Sequence, residues 1–402
     1  MLWQPPLPES YRLASEAELG ERIAARRREL GTSLLILGHH YQQDDVIRHA
    51  DLIGDSLKLS QMAASEAPRR GARTVVFCGV HFMAETADIL TGDDVSVVLP
   101  DLSAGCSMAD MAGYEDTVDA WNAIRSALDA DPLTRGERVI PITYVNSTAA
   151  IKAFVGQHGG ACCTSSNAGA VFDWALAGGT EPLRDGERVR ILFLPDQHLG
   201  RNTARSRGFT TEVDAKRGGG DADTALWDAR KASGGLSAQQ IRRARVYLWA
   251  GHCSVHKLFR PEHVESLRAA GDGTQVIVHP ECAQEVVELA DLSGSTEFII
   301  DTIRGAEPGT RWAIGTEWHL VNRLCREAQS RGVHARILSE CQCLCTTMYR
   351  IDQAHLAWAL DEIAHGRVPN RISVHPEAKA LARKALDRML ALAPGRAMSL
   401  VD

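Results

Sequence analysis

The chain has little that would take it to a membrane or to nucleic acid. No uncharged apolar run in it approaches the ~20 residues needed to cross a bilayer. Its first residues, Met1-Leu2-Trp3-Gln4-Pro5-Pro6, lack the basic flank and apolar stretch of a secretory leader. Basic charge is not in excess, since 44 Lys+Arg stand against 51 Asp+Glu for a formal net charge of -7. Counterion release therefore gives no drive toward a nucleic-acid partner. The local cluster of Arg22, Arg26, Arg27 and Arg28 is flanked by Glu21 and Glu29 and reads as a solvated helix face. No pair of the 10 cysteines has the C-x2-C spacing of a structural zinc site. The expected compartment is the cytoplasm, where cysteines serve as reduced thiols, metal ligands or catalysts rather than disulfides.

What is present is a long α/β pattern. At 402 residues the chain exceeds one compact core and suits two to four domains, with an ordinary 45% hydrophobic and 24% charged residues. Short apolar runs alternate with helical patterns, which predicts parallel sheets. Candidate strands lie at 33–37, 74–77, 96–99, 139–143, 189–194, 245–249, 275–278, 297–300 and 312–314. Polar residues sit just beyond these runs: His39-His40-Tyr41, Pro100-Asp101, Tyr144-Val145-Asn146, Asp196, His252-Cys253, His279-Pro280-Glu281 and Thr316-Glu317. Parallel α/β folds bind ligands beyond the carboxyl ends of their strands, so seven such coincidences point to a site.

The chain also repeats itself. Ala50-Asp51-Leu52-Ile53-Gly54-Asp55-Ser56 resembles Ala290-Asp291-Leu292-Ser293-Gly294-Ser295-Thr296. Each copy follows a strand that ends in a spaced polar pair, His39/Tyr41 and His279/Glu281, and His39 to Ser56 and His279 to Thr296 are both 17 residues apart. A looser third copy runs from Tyr144/Asn146 to Ser165, 21 residues beyond Tyr144. A strand leads into Cys106 ahead of the Tyr144 copy, and another into Cys253 ahead of the His279 copy. The run Cys341-Gln342-Cys343-Leu344-Cys345 would supply the missing cysteine if the chain closes back on its first domain.

The expected architecture is three αβα units with parallel sheets around a pseudo-threefold axis. The expected units are 1–92 with 330–402, then 93–240, then 241–329. Residues 205–235, with Gly218-Gly219-Gly220 and little apolar periodicity, are expected to form an inserted loop or hairpin.

Three cysteines, one per repeat, suit a metal that favours thiolates. Four thiolates complete a 4Fe-4S cluster, and three would leave one iron open to substrate as a Lewis acid. Cys341, Cys343 and Cys345 alternate, so each is a candidate third ligand, and two of them could instead form a redox disulfide. Cys78, Cys282 and Cys325 suit small buried hydrophobes, and the adjacent Cys162 and Cys163 diverge. His39, Tyr41, His279 and Glu281 can transfer protons near neutral pH if burial tunes them. Tyr144 and Asn146 can hold a developing enolate oxygen. Ser56, Ser165 and Thr296 begin helical patterns, where hydroxyls and free N–H groups receive carboxylate or phosphate. Any one of them alone would read as an N-cap, and any one strand-end His or Tyr as a bonded core residue. The threefold placement favours an anionic substrate with several acidic groups.

Taken in order, these segments resemble the quinolinate synthase (NadA) family. The resemblance runs through Gly38-His39-His40-Tyr41-Gln42, Gly54-Asp55-Ser56-Leu57, Phe77-Cys78-Gly79-Val80-His81, Ala104-Gly105-Cys106-Ser107-Met108 and Tyr144-Val145-Asn146. It continues through Cys163-Thr164-Ser165-Ser166-Asn167, Leu194-Pro195-Asp196, Leu199-Gly200-Arg201-Asn202, His252-Cys253, His279-Pro280-Glu281-Cys282 and Gly294-Ser295-Thr296. It implies condensation of iminoaspartate with dihydroxyacetone phosphate to quinolinate, phosphate and water, a step of NAD biosynthesis. It also implies functional coupling to an aspartate-oxidising enzyme, a pseudo-symmetric three-domain fold, and a 4Fe-4S cluster with three cysteine ligands and one open iron. The implied ligands are Cys106, Cys253 and Cys345, the last because the family ligand precedes a Met by three residues, here Met348. The implied substrate contacts are His39, Ser56, Tyr144, Asn146, Ser165, His279, Glu281 and Thr296, with Tyr41 nearby.

Two other readings compete. Gly54-Asp55-Ser56-Leu57 with Asp352-Gln353-Ala354-His355 matches the nucleophile block and D-x-x-H of a GDSL-type hydrolase. A non-catalytic metal-binding or redox-sensing protein would use the cysteines at 341–345 and leave the repeats unexplained.

Overall fold

The structure is a computed structural model that describes residues 4–340 and 343–393; Cys341 lies outside the described residues. It contains three mostly parallel sheets interleaved with helices, as the alternating pattern predicts. The chain divides into two compact units. One takes in the chain up to Cys106, Glu317–Glu327 and the segment ending at Pro376; the other takes in Ser107–Thr316, the segment from Ala328, and the chain from Glu377.

Each sheet follows one rule. Its second element in sequence pairs on one side of the first, and its third and fourth on the other. In the first sheet the spatial order is Arg371–Ile372, Ser96–Val98, Thr74–Cys78, Leu34–His39, Leu52–Gly54. In the second it is Ala161–Cys163, Arg138–Tyr144, Val189–Leu194, Val246–Trp249, Thr224–Trp227. In the third it is Leu292–Ser293, Gln275–Val278, Arg311–Gly315, His334–Ile337. The strands Leu34–His39 and Val189–Leu194 are buried along their whole length, as parallel strands covered on both faces must be.

The repeats seen in the sequence reappear as matching geometry. Leu37 pairs with Leu52 as Ile277 pairs with Leu292. The Asp51 carboxylate accepts from Ile36 N at 2.8 Å, and the Asp291 carboxylate from Val276 N at 2.6 Å. Arg27 pairs with Asp51, and Arg268 with Asp291.

Several expectations need correction. Residues 297–300 are not a strand but part of the helix Thr296–Gly305, where Ile299, Ile300 and Ile303 form the buried face and Ser295 caps the start. The β-branched run outweighed the capping signal in the sequence. Residues 205–235 are not an insertion: they hold the helix Glu212–Gly218 and the strand Thr224–Trp227, which pairs parallel with Val246–Trp249. The unit boundaries shift as well. Ser96–Val98 belongs to the first sheet and His334–Ile337 to the third, so past the last parallel strand of each sheet the chain runs on to one cysteine: Cys106, Cys253 and Cys345 in turn. The C-terminal segment does return to the first sheet, through the antiparallel pair Arg371↔Val98.

Among the described residues no helix is long and apolar enough to cross a membrane. In the second unit the helix Ala149–Gln157 packs on Pro376–Ala391 through Gly156, where an added Cβ would stand 2.0 Å from the Leu381 carbonyl oxygen. Gly156→Ala should therefore destabilise the protein by about 1–3 kcal/mol through overpacking against rigid backbone. A thermal unfolding midpoint equal to that of the wild type would show that the two helices separate without cost.

Candidate active site

In the second unit the strands Arg138–Tyr144 and Gln275–Val278 end beside one another's side chains. Tyr144 Oη donates to Glu281 Oε1 at 2.6 Å. His256 Nδ1 lies 3.0 Å from Glu281 Oε2, and His256 Nε2 lies 3.1 Å from Thr316 Oγ1. The result is a buried chain of polar groups, Tyr144–Glu281–His256–Thr316, whose members are at most 4% exposed. The His279 ring stacks on His256 with centroids 4.4 Å apart and an angle of 18°. His279 Nδ1 accepts from the Glu281 N–H at 3.3 Å, so in the neutral ring Nε2 carries the proton, and it meets Ser165 Oγ at 3.2 Å. Asn146 Oδ1 is buried and has no hydrogen-bond partner among the described residues.

The helix Gln197–Ser206 holds this arrangement. Its N-cap Asp196 is fully buried and accepts from Leu199 N at 2.7 Å and, through its other oxygen, from Cys253 N at 3.2 Å. Six residues on, Asn202 Nδ2 donates to the carbonyls of Pro280 and Cys282 at 2.8 and 2.9 Å, clamping the backbone on either side of Glu281.

Electrostatics separates the two carboxyls. Burial alone would raise the pKa of Glu281, but His256, His279 and the hydrogen bonds from His256 and Tyr144 hold it below the usual carboxylate range. Burial pushes Asp196 well up, and the charge of Glu281 adds to the shift. Burial, with His256 beside it, takes His279 down to about 3, which keeps its ring neutral.

The first unit presents a second polar turn. His39, 4% exposed, ends its strand, and its Nδ1 accepts from the Tyr41 N–H at 3.1 Å. The His39 and Tyr41 rings meet edge to face at 4.7 Å. Arg323 donates to the Gln42 carbonyl at 2.8 Å, to Asp44 Oδ1 at 3.0 Å and to the His40 carbonyl, fixing this turn. Ser56 and Thr296 each stand first in their helices, but Asp55 and Ser295 do the capping, so neither hydroxyl is the cap.

Cys106, Cys253 and Cys345 are half-buried on irregular segments, while Cys78, Cys162, Cys163 and Cys282 are fully buried. Burial pushes the thiols of Cys78 and Cys162 up to about 12, away from the thiolate a metal needs. Burial raises Cys345 too, but the Met348 and Thr347 N–H groups and the Thr347 hydroxyl, 3.6 Å away, oppose it. Cys343 is fully buried and its carbonyl accepts from Trp318 N at 3.0 Å. Three half-buried thiols, one past the last parallel strand of each sheet, have the donor chemistry that an iron–sulfur cluster needs.

Sequence reasoning missed His256. It lies in Cys253-Ser254-Val255-His256, a C-x2-H spacing that was there to be read. Asn202 and Thr316 were visible only as part of a motif and of a strand end, with no role. The pair Asp352 and His355 has a plain explanation: Asp352 caps its helix through His355 N, and its Oδ1 also meets His355 Nδ1 at 2.8 Å. Among the described residues no hydrogen bond joins His355 to Ser56.

A parallel α/β framework with a buried, hydrogen-bonded chain of carboxylate, imidazole and phenol beyond its strand ends is that of an enzyme. The chain matches the family described as quinolinate synthetase A protein (NadA) over residues 21–391. It is 49% identical over 393 residues to a quinolinate synthase of Rhodopirellula baltica, covering 95% of this chain and 93% of that protein. It is 50% identical over 381 residues to one of Acidobacterium capsulatum, with 94% of each chain covered. With one of Geobacillus kaustophilus it shares 48% over 387 residues, covering 96% and 97%. The chain belongs to the quinolinate synthase family.

One half-buried ring contributes to the pH dependence of stability. Burial, then the charge of Arg201, takes His198 down to about 3. In the unfolded chain this histidine takes a proton near pH 6.5, whereas in the fold it resists doing so. Stability should be complete above about pH 6.5 and fall as the pH drops toward 3. His198→Gln should flatten that fall when unfolding midpoints are measured across the range, and an identical slope would assign acid sensitivity to other groups.

Proposed function

We propose that the chain condenses iminoaspartate with dihydroxyacetone phosphate to quinolinate, releasing phosphate and water, as a step of NAD biosynthesis. The observation that carries this reading is the buried Tyr144–Glu281–His256–Thr316 chain, with the buried Oδ1 of Asn146, two residues past Tyr144, unbonded among the described residues. An ionised carboxylate held between a phenol and an imidazole is equipped to take a proton and pass it on. The buried amide oxygen suits the N–H of an imine or amine substrate, since an unsatisfied buried acceptor costs about 1–3 kcal/mol until a ligand meets it.

In this reading Glu281 and Tyr41 move protons, while His39 and His279 orient the substrate as neutral rings through Nε2. Tyr144 and the Asn146 amide nitrogen face the enolate-like oxygen as it develops. Ser56, Ser165 and Thr296 receive carboxylate and phosphate oxygens, Ser56 and Thr296 from the first positions of their helices, where the dipole favours an anion. Cys106, Cys253 and Cys345 hold a 4Fe-4S cluster, with Cys345 favoured over Cys343 by its exposure and by the donors around its sulfur. When bound, such a cluster supplies a Lewis-acidic iron that assists departure of water. A functional coupling to an aspartate-oxidising enzyme follows from the instability of an imine substrate in water.

Anaerobic purification followed by a quinolinate assay tests the proposal. Glu281→Gln should lower turnover by about 10²–10⁴-fold, the usual worth of a proton-transfer group, with the visible spectrum of the cluster unchanged. An unchanged rate would remove Glu281 from proton transfer. Serine variants of Cys106, Cys253 and Cys345 should each lose iron and sulfide. If Cys345→Ser keeps both and Cys343→Ser loses them, the third ligand is Cys343.

A further inference from the structure

A second kind of metal site is built into the buried polar chain. The ligand atoms of Cys253, His256 and Glu281 all lie within 4.8 Å of one another. They are one soft sulfur, one imidazole nitrogen and one carboxylate oxygen, which is the mixed donor set of zinc sites that keep a fourth position open. His256 turns Nδ1 toward Glu281 and Nε2 toward Thr316, so Nδ1 is the donor.

What separates this trio from a chance cluster is its supporting shell. Metal-binding imidazoles give their other N–H to an oxygen, and ligating carboxylates are themselves hydrogen-bonded. Thr316 Oγ1 stands 3.1 Å from His256 Nε2, and Tyr144 Oη holds Glu281 Oε1 at 2.6 Å, leaving Oε2 toward the imidazole. Asp196 fixes the Cys253 backbone through its N–H at 3.2 Å. Glu281 and His256 are at most 3% exposed, whereas Cys253 is half-buried, so the thiol is the side from which an ion can enter.

We propose that the chain without its iron–sulfur cluster binds a single zinc-class divalent ion through Cys253 Sγ, His256 Nδ1 and Glu281 Oε2. This rests on the reading of Cys253 as a cluster ligand and Glu281 as a proton-transfer group. Binding displaces the Cys253 S–H proton, which leaves as the ion enters, while the His256 proton moves from Nδ1 to Nε2, facing Thr316 Oγ1. Because Cys253 serves both sites, the ion and the cluster exclude each other. The ion also withdraws Glu281 from proton transfer, so a zinc-loaded chain is inactive until the metal is removed.

The test is titration of the full-length, cluster-free protein with Co²⁺ as a coloured stand-in for Zn²⁺. A single ion should bind with a sulfur-to-cobalt charge-transfer band that Zn²⁺ displaces. Cys253→Ser should abolish the band, and His256→Ala and Glu281→Gln should each weaken binding at least as much as a change in the supporting shell. Thr316→Val, which removes only the shell oxygen, should cost about 10–100-fold in affinity. Cys106→Ser and Cys345→Ser should bind Co²⁺ as the wild type does. The proposal is overturned if the wild type binds no Co²⁺, if the band survives His256→Ala and Glu281→Gln, or if it needs Cys106 or Cys345. Unfolding midpoints of the His256 and Glu281 variants separate loss of the site from loss of the fold. Iron and sulfide in reconstituted Cys106 and Cys345 variants report separately on the cluster assignment, which can fail without affecting this site.

Discussion

A carboxylate that is 3% exposed keeps its charge only if the protein replaces the water it has lost, and Glu281 depends on Tyr144 and His256 to do so. Removing one partner of such a buried group typically costs about 3–5 kcal/mol, because the charge that remains is uncompensated. The requirement reaches outward. Tyr144 must end its strand facing the second strand end, which fixes the Arg138–Tyr144 and Gln275–Val278 strands with respect to each other within their unit. His256 must lie within reach of both Glu281 and Thr316, which fixes the turn after Cys253. Much of the second unit can thus be understood as the scaffold that allows one acid to remain ionised without water.

The helix Gln197–Ser206 shows how this scaffold is made from polar residues that sequence reading undervalues. Asp196 caps the helix, which any reader of the sequence could anticipate from the residue type. Its second oxygen, however, receives the Cys253 N–H from 57 positions away, and Asn202 reaches carbonyls 78 and 80 positions away. A polar residue inside a helix whose partners are that distant leaves no periodic trace. His256 escaped for a related reason: its importance comes from Glu281 and Thr316, which follow it by 25 and 60 residues.

What was legible came from recurrence. The matching copies around Asp51 and Asp291 were visible as a repeat, and they share the same parallel register, Leu37 with Leu52 and Ile277 with Leu292, and the same carboxylate tie back to the strand, which the sequence did not show. The α/β class followed from alternation of apolar runs with helical ones. The boundaries did not follow, because Ser96–Val98 and His334–Ile337 are short fourth strands that close a sheet rather than open the next. Strands of two or three residues, such as Leu292–Ser293 and Leu52–Gly54, lie below the length at which alternation can be counted. Thr224–Trp227 was hidden behind its glycine-rich approach and mixed charges.

The recurrence also bears on chemistry. In both copies a histidine ends the strand, and the N–H two residues on donates to its Nδ1, at 3.1 Å for Tyr41 and 3.3 Å for Glu281. That bond requires an unprotonated Nδ1, so each neutral ring keeps its proton on Nε2. The turn therefore delivers a fixed N–H donor, one from His39 and one from His279, with a backbone N–H setting the tautomer. It also delivers a side chain two residues later whose chemistry the fold is free to choose. In one copy that side chain is a half-buried phenol; in the other it is a buried carboxylate with both oxygens engaged. A single local conformation, used twice, thus holds the histidine tautomer constant while the side chain two residues on changes from a phenol to a carboxylate.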